Sequence, residues 1–289
     1  MQCLFKKVAT RKGGDFEFTS INDILTRMSE DLSFARSLAL EAGKLLLDYY
    51  RKPDLQRKIK SDHSVVTEAD LAADGLISQS IHQRYPDDLV ISEELRSDYI
   101  PNAPGAVWIV DPLDGTTNFS LGLHVWGVLL CRIADGFPEL TVMYFPLLDE
   151  LYSAYRGQGA FLNEKRIHVR PLDTEYPLPF FACCSRTFRR YAVSVPYKVR
   201  ILGSAAYTFC ALARGAAILG FEATPKIWDI AGAWLLVKEA GGVIDGLEGG
   251  APFPLQEGVN YSRQSFPTLG AATEQELAKA RGQIKLRGG

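Results

Sequence analysis

Cysteine is scarce in this chain: there are five in 289 residues, no Cys-x-x-Cys pair, and Cys131 and Cys210 lie inside apolar runs while Cys183 and Cys184 are adjacent. That usage argues against a disulfide scaffold and suits reduced, buried thiols in a cytosol-like compartment, so a cytoplasmic location is expected. Histidine is scarcer still. His63, His82, His124 and His168 show neither metal-ligand nor triad spacing, which leaves them structural or surface roles. No apolar run approaches the length of a membrane span, and the N-terminus lacks the apolar stretch of a secretory signal. An excess of one charge is missing too. Lys and Arg number 32 against 34 Asp and Glu, a formal net charge of −2, which indicates neither a nucleic-acid nor a membrane-surface partner. No internal repeat and no strand-Gly-x-Gly-x-x-Gly-helix unit is present. With 47% hydrophobic residues the chain is long enough for a sizeable core, and small-molecule chemistry is the expectation.

The densest chemistry lies in Trp108-Ile109-Val110-Asp111-Pro112-Leu113-Asp114-Gly115-Thr116-Thr117-Asn118-Phe119, where an apolar strand runs into two aspartates and a Gly-Thr-Thr-Asn turn. Pro112 cannot donate to a sheet ladder and is expected to end the strand, leaving Asp111 and Asp114 to converge beyond it. Hard carboxylate oxygens suit Mg²⁺. Gly115 allows a ligand close to the backbone, and Thr116, Thr117 and Asn118 can open a helix whose free N–H groups attract an anion. A strand-turn-helix junction alone would contain the same turn dipeptides, so the short motif needs support from elsewhere. Two further apolar runs end in acids, Leu89-Val90-Ile91-Ser92-Glu93-Glu94 and Ile227-Trp228-Asp229.

The string Asp-Pro-Leu-Asp-Gly-Thr-Thr-Asn-Phe resembles the signature of the inositol monophosphatase family of Mg²⁺-dependent, lithium-sensitive phosphatases. Three other segments resemble that family in the same order: the Glu93-Glu94 pair, Lys60 to Asp70, and Trp228-Asp229-Ile230-Ala231-Gly232 followed by Glu239-Ala240-Gly241-Gly242. The resemblance implies a layered αβαβα sandwich of two subdomains with metals between them. It implies two Mg²⁺, one held by Glu93, Asp111 and the carbonyl of Leu113, the other by Asp111, Asp114 and Asp229. Asp70 would join the catalytic set near a third, weaker metal position. A water deprotonated with help from Glu93 and oriented by Thr116 would attack phosphorus in line, with the amides of Gly115 and Thr116 on the phosphate. Gly203, Ser204, Ala205, Glu222 and Asp229 would bind the substrate's alcohol part.

The resemblance favours myo-inositol monophosphate, because Thr-Asn-Phe follows Asp-Gly-Thr where adenosine-bisphosphate phosphatases carry Lys-Glu-Phe and histidinol phosphatases Arg-Ser-Phe. Lys226 brings a cation towards the expected pocket mouth, which makes fructose 1,6-bisphosphate the leading alternative, with 3′-phosphoadenosine 5′-phosphate behind it. A regulatory or scaffold protein that kept the fold and lost turnover is the reading from another class. The expected partners are a small phosphate ester and a second copy of the chain, in a homodimer.

Periodicity supplies the layout. Residues 1–27 show none that is sustained and read as a mobile extension outside the fold. Helices are expected from Ser29 to Tyr50 and from Thr67 to Tyr85, then antiparallel strands through the middle of a first subdomain, 28–175. A second subdomain, 176–289, alternates strands at Phe180–Cys184, Ala217–Phe221 and Pro267–Ala272 with helices at Ala205–Arg214, Asp229–Ala240 and Thr273–Arg281.

Overall fold

Small and aliphatic residues recur on one stripe of the first two helices, and that stripe decides how the chain begins to layer. In this computed structural model all residues are described except 1–6, 13–14, 53–56, 60–64, 95–104, 173–179, 257, 262 and 288–289. The span expected to lie outside the fold is built differently. Lys7–Lys12 (β1) and Asp15–Ser20 (β2) pair as an antiparallel hairpin, and α1 runs from Ile21 to Tyr50, starting well before Ser29. The alternation of Phe16 and Phe18 across Glu17, together with Gly13-Gly14 in sequence, is a hairpin signal that a search for helical periodicity passes over. After β3 (Arg57–Ile59) and β4 (Val65–Thr67), α2 covers Glu68–Arg84. Ala35, Leu38, Ala39, Ala42 and Leu46 of α1 pack with Ala69, Ala73, Ile77 and Ile81 of α2, all buried, as the outer helical layer.

The next layer is a seven-stranded sheet of β5 (Leu89–Ser92), β6 (Val107–Asp114), β7 (Gly127–Ala134), β8 (Phe137–Phe145), β9 (Glu150–Tyr155), β10 (Gly159–Leu162) and β11 (Lys165–Ile167), in sequential order from one edge to the other. Its pairings are antiparallel apart from β5 with β6. Successive strand residues face opposite sides, so an unbroken apolar run serves two cores. Trp108 and Val110 turn to α1 and α2, whereas Val107 and Ile109 join the core on the far side. Pro112 does not end β6. The strand continues to Asp114, and its register with β7 slips between Asp111 and Asp114. A bulge absorbs the missing donor, which a proline at a strand irregularity permits.

On that far side lie α5 (Ala205–Ala213) and α6 (Ile227–Glu239), apolar nearly all round because both faces are covered. Beyond them a five-stranded sheet has the order β14-β12-β15-β17-β16, from Phe180–Cys183 (β12), Lys198–Arg200 (β14), Ala217–Glu222 (β15), Val243–Gly246 (β16) and Thr268–Ala271 (β17). Leu277 and Ala280 of α7 (Glu274–Gln283) close its outer face against Ile218 and Leu269. The short α3 (Thr116–Ser120), α4 (Thr187–Arg190), β13 (Tyr191–Val193) and β18 (Ile284–Leu286) complete the described elements. The result is the layered αβαβα architecture expected. Among the described residues no helix is long and apolar enough to cross a membrane, and Cys131, Cys183, Cys184 and Cys210 are free thiols.

Candidate active site

Parallel pairing brings the acidic strand ends together. In the β5–β6 register Ser92 faces Val110, so the residues that follow, Glu93 just past β5 and Asp111 within β6, lie side by side, and the Glu93 N–H donates to the Val110 carbonyl at 3.3 Å. Asp229 reaches them from the first turn of α6, where its Oδ2 accepts the Lys226 N–H at 2.7 Å. Carboxylate oxygens of Asp111, Asp114 and Asp229 lie within 4.8 Å of one another. Glu93 stands outside that group of three but close enough for its charge to act on Asp111 and Asp229.

Asp114 is the most elaborately held. Its Oδ2 accepts from the Ser204 hydroxyl and the Ala206 N–H (3.3 Å), and its Oδ1 from the Ala205 N–H (3.2 Å). Ser204 is the N-cap of α5 and accepts from the Tyr207 N–H at 3.0 Å. The Ser204-Ala205 segment, expected to hold substrate, therefore fixes Asp114 of the acidic cluster to the next helix. Ser204→Ala is expected to cost about 1 kcal/mol of stability through the lost cap. If the acidic cluster holds a divalent cation, the substitution should also weaken that binding about tenfold by freeing Asp114. Denaturant unfolding and titration calorimetry measure the two effects, and unaltered affinity would show that this contact orients nothing.

The turn after β6 is built for Gly115. Its φ is +85°, and a Cβ there would sit 2.8 Å from the Val125 carbonyl oxygen. Thr116 opens α3, and its hydroxyl lies 3.0 Å from the Leu113 carbonyl and 3.3 Å from Asp70 Oδ1, with one proton to serve both. Asp70 completes a capping box on α2, accepting on Oδ2 from the Thr67 N–H (2.8 Å) and hydroxyl (2.5 Å). It is thus a helix cap and a neighbour of Thr116, apart from the three clustered aspartates. Residues 60–64, the start of the resembling Lys60–Asp70 segment, lie outside the described residues.

Beside Ser204 and Ala205 opens a cleft of about 660 Å³ that also contains Gly203 and Glu222. Glu222 is no solvated strand end: it is 5% exposed and accepts from the Thr208 hydroxyl at 2.7 Å. Gly203 has a φ of +79°, and a Cβ there would collide with the Asn118 side chain. Lys226, expected at the pocket mouth, is not among the residues lining this cleft. Sequence reasoning missed others that are, including His124, Cys184 and Arg186. The last two carried a usable signal. β12 and β15 are parallel with Cys183 facing Phe221, so residues just past Cys183 must emerge beside Glu222, and Arg186 Nη1 indeed donates to Thr224 Oγ1 at 3.0 Å.

Electrostatics mark the cluster as unfinished without a cation. Burial, followed by the charges of Glu93, Asp114 and Asp229, holds the Asp111 carboxyl well above the usual range. Asp229 is likewise pushed well up, by burial and then by Asp114 and Glu93. Asp114 rises only to about 6, because the hydrogen bonds from Ser204, Ala205, Ala206 and Gly115 oppose its burial. Burial lifts Asp70 to about 6 and Glu222 to about 8. Convergent oxygen donors whose charges repel one another fit a hard divalent cation, which would offset that repulsion.

Comparison with known proteins agrees with this arrangement. The sequence matches the inositol monophosphatase family profile over residues 27–285. A histidinol-phosphatase of Chlorobaculum parvum is 36% identical over 228 residues, covering 74% of this chain and 85% of the relative. The Nus factor SuhB of Pasteurella multocida is 35% identical over 240 residues, covering 77% and 87%. Among solved structures, the extragenic suppressor protein suhB of Bartonella henselae superposes with a TM-score of 0.74 at 27% identity over 88% of this chain and 98% of its own. The Thermotoga maritima IMPase superposes with a TM-score of 0.71 at 27% identity over 88% and 97%. With the fold, the acidic cluster and the sequence in agreement along nearly its whole length, the chain belongs to the inositol monophosphatase family.

Proposed function

We propose that this chain hydrolyses a phosphate monoester with Mg²⁺, releasing the alcohol and inorganic phosphate. The observation that carries the reading is the convergence of Asp111, Asp114 and Asp229 within 4.8 Å at the side of a ligand-sized cleft. Glu93, Asp111, the Leu113 carbonyl, Asp114 and Asp229 would hold two cations, with Asp70 near a third, weaker position. Bound there, the cations supply positive charge against the phosphate dianion and acidify water. Glu93, half-buried beside Asp111, takes the proton of the attacking water. The Thr116 hydroxyl, tethered to the Leu113 carbonyl and Asp70, orients that water. The new phosphorus–oxygen bond forms as the ester bond breaks, and the departing alkoxide takes a proton from solvent water and leaves into the cleft as the alcohol.

Glu222 would read that alcohol: its carboxyl oxygens accept from hydroxyls, most strongly once ionised above about pH 8, which favours myo-inositol monophosphate. A second reading rests on the relatives named histidinol-phosphatase, at 36% and 31% identity: the same carboxylate would receive an ammonium group. Phosphate release from myo-inositol 1-phosphate, histidinol phosphate, fructose 1,6-bisphosphate and 3′-phosphoadenosine 5′-phosphate, with and without Mg²⁺ and Li⁺, separates them. Mg²⁺-dependent, Li⁺-sensitive release led by the inositol ester is the expected result. Measured above pH 8, where the wild-type carboxyl is ionised, Glu222→Gln should then raise KM about tenfold with little change in kcat, as loss of one charge-assisted hydrogen bond made equally in ground and transition states. No release from any ester would remove the hydrolase reading.

A further inference from the structure

Two aliphatic side chains stand half bare inside the cleft. Leu123 is 49% and Ile201 52% exposed, and both line it. They come from different halves of the chain, Leu123 from the connection between β6 and β7 and Ile201 from the connection between β14 and α5. Asn118 holds those connections side by side. Its amide Nδ2 donates to the Val125 carbonyl at 2.7 Å and to the Leu202 carbonyl at 2.9 Å, which uses both of its protons. Leu123 precedes the first of these carbonyls by two positions and Ile201 precedes the second by one, so a single clamp fixes where both side chains enter the cleft. The same cleft carries the polar groups of Glu222, Arg186 and His124.

Apolar surface left wet in a concave site gains free energy when a ligand covers it. Ser204 and Ala205 hold Asp114 and also border the cleft, so an ester whose phosphate lies at the acidic cluster extends its alcohol part into this space. We propose that Leu123 and Ile201 form an apolar wall that selects phosphate monoesters whose alcohol lays a hydrocarbon face on it, an aliphatic or aromatic arm or the C–H face of a ring, over esters of short open-chain polyols. The inference rests on the phosphomonoesterase reading above and narrows its substrate class: Glu222 reads a hydroxyl or ammonium group, and the wall reads what lies beyond it. Covering half of one such side chain corresponds to about a fivefold gain in affinity.

The test compares kcat/KM for 2-phenylethyl phosphate and glycerol 2-phosphate, with Mg²⁺, in the wild type, Leu123→Ser, Ile201→Ser and Leu121→Ser. The wild type is expected to prefer the phenylethyl ester, and Leu123→Ser and Ile201→Ser each to reduce that preference about fivefold, chiefly through KM. Leu121 is 70% exposed on the same connection but lies outside the cleft lining, so Leu121→Ser should keep the preference. An unchanged ratio in both wall variants, or equal losses on both esters, overturns the proposal. Calorimetric binding of the matching phosphonates, whose phosphorus–carbon bond resists hydrolysis, reports the same ratio without turnover. Wall-dependent phosphonate binding without phosphate release from any ester would therefore overturn the hydrolase reading and keep the wall. Light scattering on the same samples covers the other occupant: a dimer lost in Ile201→Ser with the ester ratio unchanged would assign the pair to a contact between copies.

Discussion

Asp111→Asn is expected to lower Mg²⁺-dependent phosphate release by about a thousandfold or more, and at the same time to raise the unfolding midpoint of the metal-free protein. Both effects have one cause. Asp111 is 1% exposed, and its burial, then the charges of Glu93, Asp114 and Asp229, push its carboxyl well above the usual range. Below about pH 4 the folded and unfolded chains both bind the proton, and there is no penalty. As pH rises, the unfolded chain gives up the proton first, so folding is progressively disfavoured until the folded-state pKa is passed. Asparagine carries no such proton. The variant should therefore be the more stable at pH 7 without metal, with the advantage fading towards pH 4. Added Mg²⁺ should reverse the order if Asp111 holds the cation as proposed, since only the wild type retains that carboxylate and would gain stability by mass action. Thermal melts at both pH values with chelator or Mg²⁺ decide the matter. A metal-free variant less stable than wild type, or one with near-normal turnover, would refute the assignment of Asp111.

The second large effect is expected at Asn118, a residue the sequence placed only among helix openers. It is 8% exposed, and its side chain joins the Val125 and Leu202 carbonyls across the two halves of the chain. Asn118→Asp is nearly isosteric but replaces both donors with an acceptor facing two carbonyl oxygens. It should cost about 3 kcal/mol or more, because two buried acceptors lose their partner and gain repulsion. Asn118→Ala leaves the carbonyls unpaired without that repulsion and should cost less. Urea unfolding ranks the two variants, and equal stabilities would show that the amide is not the clamp. The same substitutions should reduce kcat/KM more than kcat, since the cleft wall loosens while the three clustered aspartates remain.

What the sequence made legible follows the range over which each signal acts. The unbroken apolar run of β6 and the apolar stripe of α1 are local, and so are the acids that end three apolar runs. From these the elements and their acidic ends could be read ahead of the structure, while the layering and the convergence of the aspartates were what the family resemblance implied. Pro112 misled because its missing donor was taken as a strand end, whereas a bulge accommodates it within β6. The first 27 residues show no sustained periodicity because the period-two signal of β1 and β2 spans only six residues in each strand. The roles of Ser204, Asn118, Leu123 and Ile201 depend on partners far away in sequence, which no local pattern encodes. Cys184 and Arg186 fall between these cases, since parallel pairing of β12 with β15 would have placed them beside Glu222.

The separation of the clustered aspartates along the chain also sets the order in which the centre is born. Asp111 and Asp114 leave the first sheet, while Asp229 belongs to a helix wedged against that sheet from the later half. During synthesis the earlier half emerges and collapses first, and its seven-stranded sheet is complete by Ile167. For as long as α6 is still being made, the nascent chain displays a pair of acids without their third member, and the face destined for α5 and α6 is uncovered. A cation that needs Asp229 therefore cannot template the early fold. It seals a closure that burial of α6 has already driven, so tight metal binding reports that the last long-range contacts have formed.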